Sequence, residues 1–181
     1  MSSQFRSRAA LIAVIIAFII PVIVAKLVLD NRWYQGGVTN QGTMLVPPLE
    51  LGATLNQALP EGWRVVYLVN ADCSQNCQQA LYALNQVDAA LGRESDRVTP
   101  LVITRADLPL HLENTPLVQA LVNVDIADAL TTLPADQLFI IDPLGNVMLH
   151  YASYPEEEAM RTEAKALLSD LRKLLKLSKI G

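Results

Sequence analysis

The sequence predicts an α/β fold, with a central mixed sheet flanked by helices and a single transmembrane helix in front of it. Two observations lead to this prediction. An uncharged apolar run, residues 9–25, lies near the start of the 181-residue chain. The rest alternates strand-like apolar runs with amphipathic helical segments. A chain of this length has room for one ordinary domain plus such an appendage.

The N-terminal run fits a membrane anchor better than a cleavable signal peptide. With Lys26 allowed to snorkel, it extends over residues 9–29, about the 20 residues that a bilayer-spanning helix needs. A signal peptide has a shorter apolar core, and no clear small-x-small cleavage site follows this one. Arg6 and Arg8 precede the run without any acidic residue, so the positive-inside rule puts residues 1–8 in the cytoplasm.

Everything after the anchor is then expected on the far side of the membrane. Trp33 and Tyr34 are placed as an aromatic anchor at that interface. Residues 30–50 are predicted to be a linker, and residues 51–181 the extracytoplasmic domain. A net charge of −4 and a pI near 5.1 give no basic patch, which argues against a nucleic-acid partner.

The first half of the domain predicts a strand, a helix and a second strand. The β-branched and aromatic run from Trp63 to Asn70 is typical of a buried strand. From Ser74 onward apolar residues recur at helical spacing, and Gly92 is placed as the helix stop. The segment from Arg97 to Thr104 predicts the second strand.

The second half predicts a helix, a hairpin and a closing helix. Thr115–Val124 is expected to be helical, with Pro116 in its first turn. Residues 136–142 and 147–151 predict two antiparallel strands joined by the turn PLGN. Residues 153–177 form the clearest helix, with glutamates at its start and a stripe of leucines. This order of elements, with two cysteines at the start of the first helix, is the thioredoxin-like arrangement.

Cys73 and Cys77 are the only cysteines, and they are separated by one helical turn. At a helix N-terminus the helix dipole and the free backbone N–H groups favour a thiolate, which attacks disulfides and binds soft metals. The spacing puts the two Cα atoms about 6 Å apart, within the range of a disulfide. The position and spacing of the two cysteines are compatible with three roles: a reversible bridge, a pair of thiolates that binds a metal, and a structural disulfide.

A copper site would need a third ligand, and few side chains qualify. The two histidines are His111 and His150, and Met148 is a soft alternative. His150 and Met148 are two residues apart on a predicted strand, so both are expected on one side of the sheet. For each histidine the alternative is an ordinary surface or core residue that binds no metal.

The anchor, the thioredoxin-like order, the C-x-x-x-C after the first core strand and the "IIDPLG" hairpin together resemble the Sco family. The segment "GGVTNQGTMLVPPLEL" is similar to small bacterial Sco-like proteins. The resemblance implies a bacterial inner-membrane protein with a periplasmic domain that supports cytochrome c oxidase assembly. The expected partners are the oxidase or its assembly factors. Copper held by both cysteines and a distal histidine is the cofactor that the family implies.

The chain departs from the family pattern at two places. Gln78 follows the second cysteine, where the family usually has proline, and Pro134 stands where the family has its histidine. A cis Leu133–Pro134 bond facing the cysteines, as in thiol–disulfide oxidoreductases, is expected instead. We therefore favour thiol chemistry in which Cys73 attacks, Cys77 resolves and Pro134 completes the site. Copper bound by Cys73, Cys77 and His150 is the alternative, and so is an accessory protein with a permanent bridge.

Overall fold

The computed structural model describes residues 3–30, 39–69 and 72–179, with side chains described from residue 12 to 27 in the first range. Two compact units divide the chain, Met1–Thr39 and Asn40–Gly181. In order, the elements are α1 (Ser3–Asp30), β1 (Thr43–Glu50), α2 (Gly52–Gln57), β2 (Trp63–Val69), α3 (Gln75–Leu91), a 3₁₀ turn (Gly92–Arg97), β3 (Val98–Thr104), β4 (Gln119–Val122), α4 (Val124–Leu130), β5 (Gln137–Ile141), β6 (Asn146–Ala152) and α5 (Glu157–Leu177).

The N-terminal unit consists of α1, a helix of 28 residues. Within the described residues, no helix combines the length and the apolar content needed to cross a membrane. Part of the predicted anchor, residues 9–11 and 28–29, lies outside the described side chains, and Trp33 and Tyr34 lie outside the described residues altogether.

The second unit is built on a six-stranded mixed sheet with the strand order β1-β6-β5-β2-β3-β4. Parallel pairing joins β2, β3 and β4, whereas β5 runs antiparallel to β2, and β6 runs antiparallel to both β5 and β1. Every residue of β2 is buried, as expected for a central strand covered on both faces. The predicted α/β class, with helices on both sides of a mixed sheet, is confirmed.

Two hydrophobic cores lie on opposite faces of this sheet. The first core packs the sheet against α3 and α5, and its members include Val65, Leu84 and Leu171. The second core packs the other face against α2 and α4, through residues such as Ile126 and Phe139. The cysteines belong to the first core, so the chemistry of the site lies on the α3–α5 side.

Residues 43–50, which the sequence assigned to the linker, form the edge strand β1 and pair with β6. Pro47 and Pro48 disfavour a strand in an interior position, but an edge tolerates them because one side of it needs no hydrogen bonds. The ladder to β6 is interrupted between Met44 and Leu49, where the prolines lie.

The predicted helix Thr115–Val124 is wrong. Residues Gln119–Val122 form β4, which pairs in parallel with β3 from the register Leu101↔Gln119 onward. The helix that follows, α4, begins only after Asn123, whose side chain accepts a 3.0 Å hydrogen bond from the Ile126 amide. A short apolar run fits the spacing of a helix as well as that of a strand. Here it forms a strand because the edge of β3 is available for pairing and because Asn123 caps a helix that begins only after it.

Candidate functional site

The two cysteines lie at the junction between β2 and α3, as predicted. The helix begins at Gln75, so Cys73 precedes it by two residues and Cys77 lies in its first turn. Ser74 is the N-cap, and its carbonyl accepts a 3.0 Å hydrogen bond from the Gln78 amide. Cys73 therefore lies beside the positive end of the helix dipole, where a thiolate is stabilised.

In the structure the two cysteines form a disulfide. Their Cα atoms are 5.1 Å apart, close to the separation expected for one helical turn. The environments of the two sulfurs differ, because Cys77 is 2% exposed and belongs to the first core, whereas Cys73 is only partly buried against it. Cys73 is therefore the sulfur that an external reactant meets first.

Cys73 opens onto a cavity of about 500 Å³. The walls come from three parts of the chain: α3 supplies Gln79 and Tyr82, the segment between β3 and β4 supplies His111, and Glu157 comes from the start of α5. A disulfide on the wall of an open cavity can be approached by a second molecule, which a bridge sealed inside a core cannot.

The position of His111 follows from a local alternation in the sequence LPLHL. Leu108, Leu110 and Leu112 are partly buried and pack against the first core. The residues between them are exposed, so the imidazole of His111 faces outward onto the cavity that Cys73 also lines. Although the copper alternative predicted from the sequence used His150, the period-two pattern of LPLHL already indicates which way His111 faces.

The start of α3 is linked to the start of α5 by a side-chain hydrogen bond. The Gln75 side chain donates a 3.2 Å hydrogen bond to the Pro155 carbonyl, just before α5. Between the cysteines, the side-chain oxygen of Asn76 is buried and has no hydrogen-bond partner among the described residues. An unpaired buried acceptor costs about 1–3 kcal/mol.

His150 does not join this site. It pairs with Phe139 of β5, whose side chain belongs to the second core, and directly paired residues point to the same face of a sheet. The imidazole Nδ1 contacts the Gln137 side chain, and burial lowers the pKa of His150. The cysteines pack against the first core, on the opposite face.

Met148 also lies away from the cysteines, and the expectation that it shares a face with His150 is wrong. The β5–β6 register changes between Ile140↔Leu149 and Ile141↔Val147, which leaves Met148 as the extra residue of a bulge. The bulge reverses the alternation, so Met148 packs against the first core. It lines a separate cavity with Trp63, at the end of β2 opposite to the one that leads to Cys73.

The cis Leu133–Pro134 bond predicted from the sequence is also wrong. Among the described residues the one cis peptide bond is Val46–Pro47. Pro134 lines a small cavity with Leu68 and Phe139, on the face of the second core. It follows α4, whose packing on that face draws the loop away from the cysteines.

In the disulfide form, the described residues do not assemble a three-ligand copper site. Among them, no group of three or more His, Cys, Asp or Glu side chains is placed to hold a metal ion. Cys73 and Cys77 are joined to each other, so they offer thiolates only after the bridge is reduced, and His150 lies on the other face of the sheet. The three ligands predicted from the sequence are therefore not brought together.

The comparison with protein families gives one match. A family model described as the transmembrane-like, thioredoxin-like C-terminal domain matches residues 63–178. That range contains both cysteines, the hairpin and the closing helix. No curated protein matches the chain.

Solved structures with the same fold come from several proteins of low identity. Apo Sco1 from Thermus thermophilus is 18% identical with a TM-score of 0.54, over 77% of this chain and 99% of that one. Copper-bound ScoI from Bradyrhizobium japonicum is 18% identical with a TM-score of 0.42, over 61% and 88%. The thioredoxin domain of a thiol-disulfide oxidoreductase from Bacteroides vulgatus is 16% identical with a TM-score of 0.44, over 67% and 84%. At these identities the likeness concerns the fold.

Proposed function

Because the chain belongs to the family of transmembrane-like, thioredoxin-like C-terminal domains, we propose that it carries out thiol–disulfide exchange through Cys73 and Cys77. The observation that carries the proposal is the asymmetry of the bridge. Cys73 lines an open cavity at the start of α3, whereas Cys77 is buried behind it. Exchange needs one sulfur that meets the substrate and a second that is held ready to resolve the product.

The chemistry is a pair of sulfur exchanges. In the reduced protein the Cys73 thiolate attacks a client disulfide, and one client sulfur leaves as a thiolate. The Cys77 thiolate then attacks Cys73, re-forms the bridge and releases the second client sulfur. The pair passes two electrons to the client, and a dithiol protein restores them by the same steps. In the reverse direction the bridge oxidises a client dithiol.

His111 is the side chain best suited to assist this exchange. Its imidazole and the Cys73 sulfur share one cavity, in which it can take the proton of an incoming thiol or stabilise a thiolate when protonated. Among the described residues it is the histidine on the side of the first core, because His150 belongs to the other face.

The biological setting that we propose is cytochrome c oxidase assembly at the bacterial inner membrane, with the oxidase or its assembly factors as clients. The resemblance of the C-x-x-x-C and IIDPLG segments to the Sco family supports this setting. The uncharged run of residues 9–25 supports an anchor at 9–29 and a periplasmic location for the exchange domain.

Trapping the mixed disulfide tests the proposed chemistry. Cys77→Ser removes the resolving sulfur, so Cys73 is expected to remain joined to its client when cells are quenched with acid and alkylated. Cys73→Ser is the matched control and should trap nothing. Equal trapping by the two variants, or none by either, would contradict the proposal.

A permanent structural bridge is the second candidate, and the burial of Cys77 in the first core favours it. In that case replacing both cysteines by serine lowers the free energy of unfolding but leaves oxidase assembly intact. Under the exchange mechanism, assembly fails in the double variant even where the protein accumulates to wild-type levels.

A further inference from the structure

The disulfide opens onto a groove that is longer than the site itself. The cavity beside Cys73, of about 500 Å³, meets a second one of about 260 Å³ that lies along α3 and α5. Both have Gln79, Tyr82 and Glu157 in their walls, so they form one continuous depression. We call this depression the α3–α5 groove.

We propose that the α3–α5 groove binds an extended segment of a client polypeptide, with the reacting cysteine of the client placed at Cys73. The inference rests on the proposed thiol–disulfide exchange and adds its substrate class. The substrate is a stretch of protein chain, and not a small free thiol.

The dimensions of the groove suit a short peptide. Along α3 its walls run from Gln78 to Gln86, which at 1.5 Å per residue is about 12 Å. An extended chain advances about 3.3 Å per residue, so this length accommodates about four residues. A small thiol would occupy only the end at Cys73.

The amide side chains in the walls of the groove match a peptide backbone. Gln78, Gln79, Asn114 and Gln86 each carry an amide that both donates and accepts hydrogen bonds, as a peptide group does. Within the described part of the chain, no protein group is hydrogen-bonded to any of these four side-chain amides. They can therefore bind the main chain of a client whatever its sequence.

Tyr82 supplies an apolar surface at the point where the two cavities meet. Its side chain is 49% exposed, which is unusual for an aromatic residue of a helix that otherwise packs on a core. A flat ring at this position offers contact area to a client side chain next to the reacting cysteine, at little cost in conformational entropy.

The charged side chains in the walls of the groove largely cancel. Glu157 and Arg161 both line it, and they pair with each other at 2.7 Å. The groove therefore suits a segment without a strong charge of its own.

The exchange on a bound client balances without an outside oxidant. The client thiolate attacks the Cys73 sulfur, the Cys73–Cys77 bond breaks, and Cys77 leaves as a thiolate. The client is then joined to Cys73, and a second client thiolate can displace it to complete the transfer of two electrons.

Two thiol probes on the oxidised full-length protein test the groove. The first is a neutral eight-residue peptide with one cysteine, and the second is 2-mercaptoethanol, each corrected for its thiolate fraction. The rate of opening of the Cys73–Cys77 bond is measured for both. We expect the peptide to react at least about tenfold faster and to saturate, as a bound substrate does.

Variants of the groove then separate binding from chemistry. Tyr82→Ala and Gln79→Ala should lower the ratio of peptide rate to mercaptoethanol rate about tenfold, and Tyr82→Phe should largely restore it. Gln119→Ala is the matched control, since Gln119 is an exposed glutamine on the edge strand β4. A wild-type ratio near one, or a ratio that Tyr82→Ala does not change, would overturn the groove while leaving exchange intact. A bridge that reacts with neither thiol overturns the proposed exchange and the groove together.

Discussion

The side chains of Tyr151 and Asp170 meet in the interior, where the tyrosine hydroxyl donates a 3.0 Å hydrogen bond to the aspartate carboxylate. The same carboxylate accepts hydrogen bonds of 2.6 and 2.9 Å from the backbone amides of Gln41 and Gly42, and it pairs with Lys173 at 3.1 Å. Asp170 therefore fastens the segment that leads into β1 onto α5 and β6. The Asp170 carboxylate thus joins three parts of the second unit that are far apart in sequence.

Asp170→Asn is expected to destabilise the protein by about 2 kcal/mol or more at pH 7, since hydrogen bonds to a charged group are among the stronger ones and their donors are left poorly paired. Urea unfolding measures the free energy of unfolding. Asp107→Asn, at an exposed carboxylate, is the control and should change it little. Equal stability of the Asp170 variant and the wild type would contradict the role given to this residue.

The same contact predicts a pH dependence. Burial by itself raises the pKa of Asp170, but the hydrogen bonds from Gly42, Lys173, Gln41 and Tyr151 outweigh it and hold the pKa below the ordinary value. A group whose pKa is lowered by folding stabilises the protein above its unfolded pKa, which is about 3.9 for aspartate. Stability from Asp170 should therefore be complete above about pH 5 and be lost as pH falls through the folded pKa. In the Asp170→Asn variant that part of the acid-induced loss should be absent.

Gly42→Ala tests the packing at the same place. A Cβ on residue 42 would overlap the ring of Tyr151, which is itself buried and hydrogen-bonded. The expected cost is about 1–3 kcal/mol, as for other overpacked sites. The check is a double-mutant cycle with Tyr151→Leu, which removes the ring. Gly42→Ala is expected to lower the free energy of unfolding less in the Tyr151→Leu background than in the wild type. Strictly additive effects would show that the two positions do not touch.

Much of this fold could be predicted from local pattern. The buried run of β2, the helical spacing of α3 and the leucine stripe of α5 each show their period within a few residues. The start of β1 could not be predicted in this way, because it is held by Asp170, about 130 positions further on in the chain. The position of Cys73 just before α3 was predicted correctly, because the residues that end a strand and begin a helix are close together in the sequence.

The composition of the site depended on tertiary structure. His111 lies at the Cys73 cavity only because the segment before β4 packs its leucines on the first core. The strand that contains Met148 and His150 was predicted correctly, but the two side chains were wrongly expected on one face. The bulge at Met148 adds one residue, which reverses the alternation of side chains. Pro134 was assigned to the cysteines by its position in the sequence, whereas the packing of α4 holds it against the second core.

His111→Ala is expected to slow thiol–disulfide exchange about 100-fold, the low end of what general acid–base catalysis contributes. The measurement is the second-order rate of bridge opening by a peptide thiol. His150→Ala is the control, because His150 is on the other face of the sheet. A His111→Ala rate equal to that of the wild type would exclude a role for this side chain.

Copper binding gives the sharpest test of where His150 lies. Reduction of the bridge yields two thiolates, which are soft ligands of the kind that Cu(I) prefers, so we expect the reduced protein to bind Cu(I). His150 contacts Gln137 and points to the second core, so His150→Ala should leave the Cu(I) affinity of the reduced protein unchanged in a chelator competition. Cys73→Ser is the positive control and should weaken binding, because it removes a thiolate. Loss of a ligand side chain or its support costs about 10- to 100-fold in metal affinity. A loss of that size in His150→Ala would mean that the reduced protein rearranges to bring this histidine to the cysteines.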